Sequence, residues 1–204
     1  MVALGKVLGL RVAYIPGNSR DHNGNVGGLG HAWNAVHLDG AWHLLDATWD
    51  AGYVEGDRFV KRFSTDYYLT PPAVFGLDHF PDRSRWQLLR TPLSRGEFMR
   101  QPMVTPSFHA KGLELVEPRR SQVTVNDNVT IRLAKPAGLH LIASYYRSED
   151  RFNDGERCTV SPGLRVKVHC SFPASGSYRV KLFAAKQRYG SFSYVGQVLV
   201  NSSQ

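Results

Sequence analysis

One histidine and one aspartate stand 15 residues apart in the segment HAWNAVHLDGAWHLLDATW, which begins at His31 and ends at Trp49. A histidine can accept and return a proton near neutral pH, and an aspartate bonded to it can hold the imidazole in one tautomer. His31 and Asp46 therefore have the residue types of a general base and its orienting acid. The same pair is also compatible with an ordinary hairpin in which the two side chains form a structural contact.

The elements that must position this pair are two strands joined by a tight turn. Asp39-Gly40 predicts a two-residue hairpin connection, because both central residues of a type I′ turn need positive φ. Such a turn pairs Leu38 with Ala41 and thereby sets the register of the whole hairpin.

Continuing that register places Trp33 opposite Asp46 and His31 opposite Thr48, with all four side chains on one face. His31 and Asp46 are then diagonal neighbours, whose Cα atoms lie about 7–8 Å apart, and their side chains can meet. We therefore predict His31 and Asp46 as catalytic candidates and Trp33 as a wall of the site.

The sequence contains two cysteines, Cys158 and Cys170, and both lie in predicted strands far from His31. Cys170 alternates with Leu164, Val166 and Val168, which predicts a buried thiol that packs as a small hydrophobic residue. Neither cysteine is a good candidate nucleophile. Two cysteines do not indicate a disulfide framework, so we expect a reducing, cytoplasmic environment.

Metal and cofactor sites are not indicated by local spacing. The eight histidines show none of the short ligand spacings of zinc sites, and no Cys-x-x-Cys occurs. We therefore expect neither a metal nor another cofactor.

The pattern of apolar residues predicts an α+β chain in two parts. Residues 1–90 indicate a mixed region, with the tail of a helix over 1–10, a strand over 11–17 and the hairpin. Residues 91–107 hold three prolines without a clear period and are interpreted as a linker. Residues 108–204 contain short segments of period two at roughly ten-residue spacing, which predicts an antiparallel β-sandwich.

Charge is distributed unevenly along the chain. Residues 1–90 contain nine Lys/Arg and nine Asp/Glu, whereas residues 91–204 contain 16 and eight, a net of +8. A basic surface on residues 108–204 is compatible with an acidic partner, such as a cytoskeletal filament. No nucleic-acid-binding motif and no apolar run long enough for a membrane span is found.

The pattern H-A-W-N-x-V-x-x-D-G-x-W-x-x-x-D-x-T-W resembles the transglutaminase-like superfamily, in its kyphoscoliosis peptidase and hillarin branch. The resemblance implies a papain-like core with a Cys-His-Asp triad, in which His31 is the general base and Asp46 the orienting acid. It also implies β-rich domains after the core, here an immunoglobulin-like sandwich.

The nucleophilic cysteine that the resemblance implies would fall a few residues before Met1. We expect the chain to be part of a longer protein; the alternative is a complete, non-catalytic chain. The first functional hypothesis is acyl transfer in the parent protein, as peptide hydrolysis or protein cross-linking, with this chain alone inactive. The second is a cytoplasmic, cytoskeleton-associated scaffold that binds a protein partner. A third is an extracellular sandwich that binds carbohydrate or matrix, against which the lack of a signal peptide counts.

Overall fold

The computed structural model describes residues 1–21, 23–26, 30–149 and 155–203. The chain divides into two compact units, Met1–Met99 and Arg100–Gln204. Residues within the predicted linker at 91–107 form a helix, Arg95–Arg100, and a short strand, Met103–Val104.

The strands of the first unit are β1 (Arg11–Ser19), β2 (His31–Leu38), β3 (Ala41–Leu45), β4 (Gly52–Glu55), β5 (Arg58–Lys61), β6 (Tyr68–Thr70) and β7 (His79–Pro81). Five of them form an antiparallel sheet with the order β6-β3-β2-β1-β7. The other two, β4 and β5, form a separate hairpin. The unit also contains helices. Its helices are α1 (Val2–Val7), α2 (Ala47–Ala51), α3 (Pro72–Phe75), a 3-10 turn at Ser84–Gln87 and α4 (Arg95–Arg100), which crosses the unit boundary.

The predicted hairpin is confirmed in its turn and its register. Leu38 pairs with Ala41, and Asp39 and Gly40 both have positive φ, at 47° and 83°. This is the conformation in which the twist of a two-residue turn matches that of its strands.

The end of the hairpin differs from the sequence-based prediction. Pairing stops at Asn34 opposite Leu45, and Asp46 is the N-cap of α2 instead of a strand residue. Its carboxylate accepts hydrogen bonds from the backbone N–H groups of Thr48 and Trp49. Aspartate is among the strongest N-cap residues, so this local bonding ends the ladder one residue before the predicted partner of Trp33.

The second unit contains two sheets. One has six strands, in the order β10-β17-β16-β12-β13 with β8 also paired to β17; the other has four, in the order β14-β15-β11-β9. The elements are β8 (Met103–Val104), α5 (Pro106–Ala110), β9 (Glu114–Glu117), β10 (Gln122–Val125), β11 (Asn128–Ala134), β12 (His140–Arg147), β13 (Glu156–Arg157), β14 (Thr159–Val160), β15 (Arg165–Ser171), β16 (Gly176–Ala185) and β17 (Ser193–Ser202).

Alternating burial in β15 confirms the predicted period of two. Val166, Val168 and Cys170 are buried, while the residues between them are exposed. Leu164, which the alternation assigned to the buried set, is exposed because the strand begins only at Arg165 and Leu164 lies in the preceding bend.

The two cysteines form a disulfide, Cys158–Cys170, and the expectation of free thiols is wrong. Cys158 lies between β13 and β14, which belong to different sheets, and Cys170 is in β15. In the β14–β15 hairpin Thr159 pairs with His169, and the same register sets Cys158 opposite Cys170, with Pro162-Gly163 in the connection between the two strands. Because disulfides persist mainly in oxidising environments, the cysteine content no longer supports a reducing compartment.

None of the helices in the described part of the chain has the length and apolar character that crossing a bilayer requires.

We expect the disulfide to contribute about 3 kcal/mol to the free energy of unfolding, because it closes a short loop in the unfolded chain. Replacing Cys158 and Cys170 together with Ala should lower the urea midpoint of unfolding by the corresponding amount. Alkylation of denatured, non-reduced protein followed by mass spectrometry should find no modified cysteine, and two after reduction. Two alkylated cysteines without reductant would contradict the bond.

Candidate functional site

Three strands bring the candidate residues to one place. The central strand β1 pairs with β2 on one side and with β7 on the other. His31 begins β2 and His79 begins β7, and both strands meet β1 at Gly17, which pairs with His31 and with Pro81. A Cβ at Gly17 would lie 2.5 Å from the ring of Trp33 and 2.4 Å from the backbone oxygen of the residue before Pro81, so a larger residue does not fit between the two strands.

The Asp46 carboxylate connects two histidines. Its Oδ2 lies 2.5 Å from Nε2 of His31 and 3.1 Å from Nε2 of His79. Its Oδ1 accepts the backbone N–H groups of Thr48 at 2.9 Å and Trp49 at 3.2 Å. The predicted meeting of His31 and Asp46 is therefore observed, although Asp46 reaches it from a helix N-terminus.

A second carboxylate lies behind His79. Nδ1 of His79 is 2.6 Å from Oδ1 of Asp78, and Oδ2 of Asp78 accepts a hydrogen bond of 2.5 Å from the hydroxyl of Tyr67. The polar chain thus runs from Tyr67 through Asp78, His79 and Asp46 to His31. Only 1 % of the Asp46 side chain and none of the His79 side chain is exposed, against 15 % for His31.

Aromatic rings enclose the polar chain. Trp49 stacks on His31 with ring centroids 5.3 Å apart, and Trp33 lies 6.0 Å from His31. Trp33 also meets His79 edge-on at 4.9 Å, and Phe75 lies 4.1 Å from His79. Trp33 therefore lies beside His31, and its role as a wall of a site stays a prediction. These rings exclude water and strengthen the electrostatic interactions inside the cluster.

The charges of the cluster compensate one another. Burial alone would raise the pKa of Asp46, but the hydrogen bonds and charges of His31 and His79 outweigh it and hold the pKa well below the ordinary value. Burial alone would lower the pKa of His79, but its bonds to Asp46 and Asp78 raise it above 6.5. His79 is thus favoured as an imidazolium between two carboxylates, the arrangement in which every ring N–H has an acceptor.

The hydroxyl of Tyr67 remains a hydrogen-bond donor to this cluster. Burial and the neighbouring Asp78 carboxylate raise the pKa of Tyr67 far above its ordinary value. The phenol therefore keeps its proton throughout the physiological pH range and orients Asp78.

His31 has one nitrogen available for chemistry. Nε2 bonds to Asp46, and among the residues that the structure describes none forms a hydrogen bond with Nδ1. An imidazole held in this way can accept a proton at Nδ1 while the carboxylate stabilises the resulting imidazolium. The two cysteines of the chain are joined to each other in the second unit, so this chain offers no thiol to His31.

The structure brings three side chains of metal-ligating type together. The ligand atoms of His31, Asp46 and His79 all lie within 4.8 Å of one another. Local spacing gave no sign of this group because its members come from three elements that are distant in sequence.

His79 is the residue of this site that the sequence analysis missed. The only local signal is the dipeptide Asp78-His79, a pair of residue types that is common on protein surfaces. His79 joins the site because β7 pairs with β1. This pairing places His79 next to Asp46, the carboxylate that also bonds to His31.

We expect His79 to make the free energy of unfolding depend on pH. Because the pKa of His79 is raised in the folded state, its stabilisation is complete below about pH 6.5 and is lost as the pH rises through the folded pKa. The stability difference between wild type and His79→Gln should therefore be largest below about pH 6.5 and should shrink as the pH rises above that value. The free energy of unfolding of both proteins is measured by urea unfolding with tryptophan fluorescence as the signal. Each tenfold gain in the proton affinity of His79 on folding adds about 1.4 kcal/mol to that free energy.

The matched control is His169→Gln, which changes an exposed histidine of β15 in the other unit. The difference between wild type and this control should not decline in the same way. A His79 contribution that stays constant or grows with pH would contradict the protonated state.

Residues 95–204 match the family model described as KY-like, immunoglobulin-like domain. The chain is 32% identical over 187 residues to kyphoscoliosis peptidase of Mus musculus, covering 88% of this chain and 28% of that relative. It is 25% identical over 183 residues to hillarin of Drosophila melanogaster and 31% identical over 170 residues to the Lim and transglutaminase domain protein ltd-1 of Caenorhabditis elegans. Each of these two alignments covers 76% of this chain and 22% of the relative.

The chain therefore spans less than a third of the length of the curated relatives it matches. The family model covers most of the second unit, which consists mainly of strands, and the relatives extend the similarity into the first unit. The chain belongs to the family of kyphoscoliosis peptidase and hillarin, and residues 95–204 are its KY-like, immunoglobulin-like domain.

Proposed function

We propose that the first unit is a transglutaminase-like core that supplies His31 and Asp46 to a Cys-His-Asp acyl-transfer site. The observation on which this rests is the 2.5 Å contact between Nε2 of His31 and Oδ2 of Asp46, with Nδ1 left for a reacting group. The names of the relatives, a peptidase and a transglutaminase domain protein, support the same chemistry.

In this proposal the thiol comes from outside the 204 residues. His31 takes the thiol proton at Nδ1, and the thiolate adds to an amide carbonyl of a protein substrate. The C–N bond then breaks, the imidazolium returns its proton to the leaving amine, and a thioester remains. Water completes a hydrolysis, whereas an amine completes a cross-link.

Asp46 acts through His31 and does not touch the substrate. It keeps Nε2 protonated and stabilises the imidazolium that forms during thiol deprotonation. Its backbone hydrogen bonds from Thr48 and Trp49 hold Oδ1, so that Oδ2 stays directed at the histidines. His79 positions the same oxygen from the opposite side.

We expect His31→Ala to lower the activity of the parent protein by about 10²–10⁴-fold, the usual contribution of a general base. The assay uses the longer natural product, isolated with its upstream segment, on a quenched-fluorescent casein and on casein with a fluorescent primary amine. Asp46→Asn should show a comparable loss, because asparagine can still cap α2 but cannot stabilise the imidazolium.

His43→Ala is the matched control, since His43 lies in the same hairpin and outside the hydrogen-bonded cluster. It should keep wild-type activity. Wild-type activity in His31→Ala would contradict the general-base role, and a parent without activity in either assay would favour the non-catalytic hypothesis.

A second candidate function is binding of an acidic protein partner by the immunoglobulin-like domain. Arg157 pairs with Ser144, which in turn pairs with Lys181, so both cations lie on the outward face of the six-stranded sheet. Lys181 lies 4.6 Å above the ring of Tyr146 on the same face. Among the described residues of this sheet, the positions that share this face include no carboxylate.

A cytoskeletal filament is one acidic partner of this kind, and a cytoplasmic, cytoskeleton-associated location remains a prediction. The observed disulfide favours an oxidising environment instead.

We expect a fluorescein-labelled oligoglutamate peptide to bind this chain more weakly as NaCl rises from about 50 to about 200 mM, because salt screens the attraction. The double variant Arg157→Ala/Lys181→Ala should weaken binding several-fold in fluorescence anisotropy. The control Arg165→Ala/Lys167→Ala removes the same charge from β15 in the other sheet and should bind nearly as the wild type. Equal losses in both variants would show an effect of net charge and not of this face.

A further inference from the structure

We propose that His31, Asp46 and His79 form a binding site for a divalent transition metal, with Zn²⁺ as the best-matched ion. Their ligand atoms converge within 4.8 Å from the starts of β2 and β7 and the N-cap of α2. Two imidazole nitrogens and one carboxylate oxygen are the ligand types that zinc prefers when it keeps a fourth position for water. This proposal concerns metal binding by the chain itself and does not depend on the acyl-transfer function.

Each oxygen of Asp46 has a separate role. Oδ1 is occupied by the two backbone N–H groups of Thr48 and Trp49, and Oδ2 faces both histidines. A single cation between Oδ2 and the two Nε2 atoms would therefore meet three ligands without disturbing the helix cap. The carboxylate binds it through one oxygen, as is common at zinc.

The most buried ligand is already oriented by outer partners. Nδ1 of His79 lies 2.6 Å from Oδ1 of Asp78, which directs Nε2 of the same ring toward Asp46. Asp78 is in turn held by the hydroxyl of Tyr67. A carboxylate that fixes the second nitrogen of a histidine ligand is the usual outer support of zinc sites.

Aromatic rings surround the proposed ligands. Trp49 lies 5.3 Å from the His31 ring and 4.5 Å from the His79 ring, and Phe75 lies 4.1 Å from His79. An apolar shell of this kind limits competing water at the buried ligands. The 15 % exposed side chain of His31 marks the side from which an ion and its water ligand enter.

Metal binding requires His31 to shift. Tetrahedral zinc at about 2.0–2.2 Å from its ligands separates the ligand atoms by about 3.3 Å. The His79–Asp46 separation of 3.1 Å is close to this value, whereas the His31–Asp46 separation of 2.5 Å must widen. His31 is the least buried of the three and the first residue of its strand, so it is the ligand that can move.

A metal at this position would also change the chemistry of the site. It would displace the protons that lie between Asp46 and the Nε2 atoms of both histidines, releasing them to solvent, and would remove the carboxylate from its role in stabilising an imidazolium. Zinc would thus hold any catalytic use of His31 in an inactive state until it is released.

The test is calorimetric titration of the chelator-treated 204-residue chain with ZnCl₂ at neutral pH, and with CoCl₂ followed by visible absorption. We expect one ion per chain and the d–d bands of a four-coordinate Co²⁺ ion. His31→Ala and Asp46→Asn should each weaken binding at least tenfold, while the control His43→Ala on the same hairpin should bind as the wild type.

His79→Ala should abolish zinc binding, and circular dichroism shows whether this variant still folds. If His79→Ala does not fold, the zinc titration of His31→Ala decides whether the site exists. The proposal is overturned if the wild type does not bind Zn²⁺, or if His31→Ala and Asp46→Asn bind it as tightly as the wild type. Since the chain contains no free thiol, neither outcome depends on whether the parent protein is an enzyme.

Discussion

The site depends on one buried carboxylate. Asp46 is almost fully enclosed, and a buried negative charge is stable only when hydrogen bonds and positive charge surround it. Oδ1 satisfies this need with the free N–H groups at the start of α2, and Oδ2 satisfies it with His31 and His79. Removing either histidine would leave the remaining hydrogen bonds of the Asp46 carboxylate in place, but less positive charge would compensate its negative charge. The orientation of His31 is thus a consequence of how Asp46 is buried.

The sheet order is what makes this arrangement available. Because β1 pairs with both β2 and β7, the two histidines that begin those strands approach from opposite sides of one central strand. Gly17 lets the chains pack closely at that point, and the ring of Trp33 fills the space beside it. The aromatic rings around the cluster then lower the local dielectric constant. Packing and electrostatics therefore support the same geometry.

The two units of the chain differ in what they offer. The first has balanced charge and the His-Asp-His cluster, whereas the second has the excess of positive charge and a disulfide between its strands. Aromatic rings enclose the cluster, whereas Arg157 and Lys181 lie on the outward face of the six-stranded sheet. The similarity to kyphoscoliosis peptidase and hillarin extends over both units.

The sequence by itself determined the features that depend on neighbouring residues. Positive φ at Asp39-Gly40 sets the hairpin and its register, and alternation of period two sets the strands of the sandwich. The hairpin also brings His31, which begins β2, and Asp46, which follows β3, to the same end of two paired strands. Only the tertiary structure decided that His79 shares the carboxylate of Asp46 and that its ring packs against Trp33 and Phe75. Backbone propensities and periodicity act over a few residues, whereas these contacts depend on which distant strands pair, and that is settled by burial of the whole core.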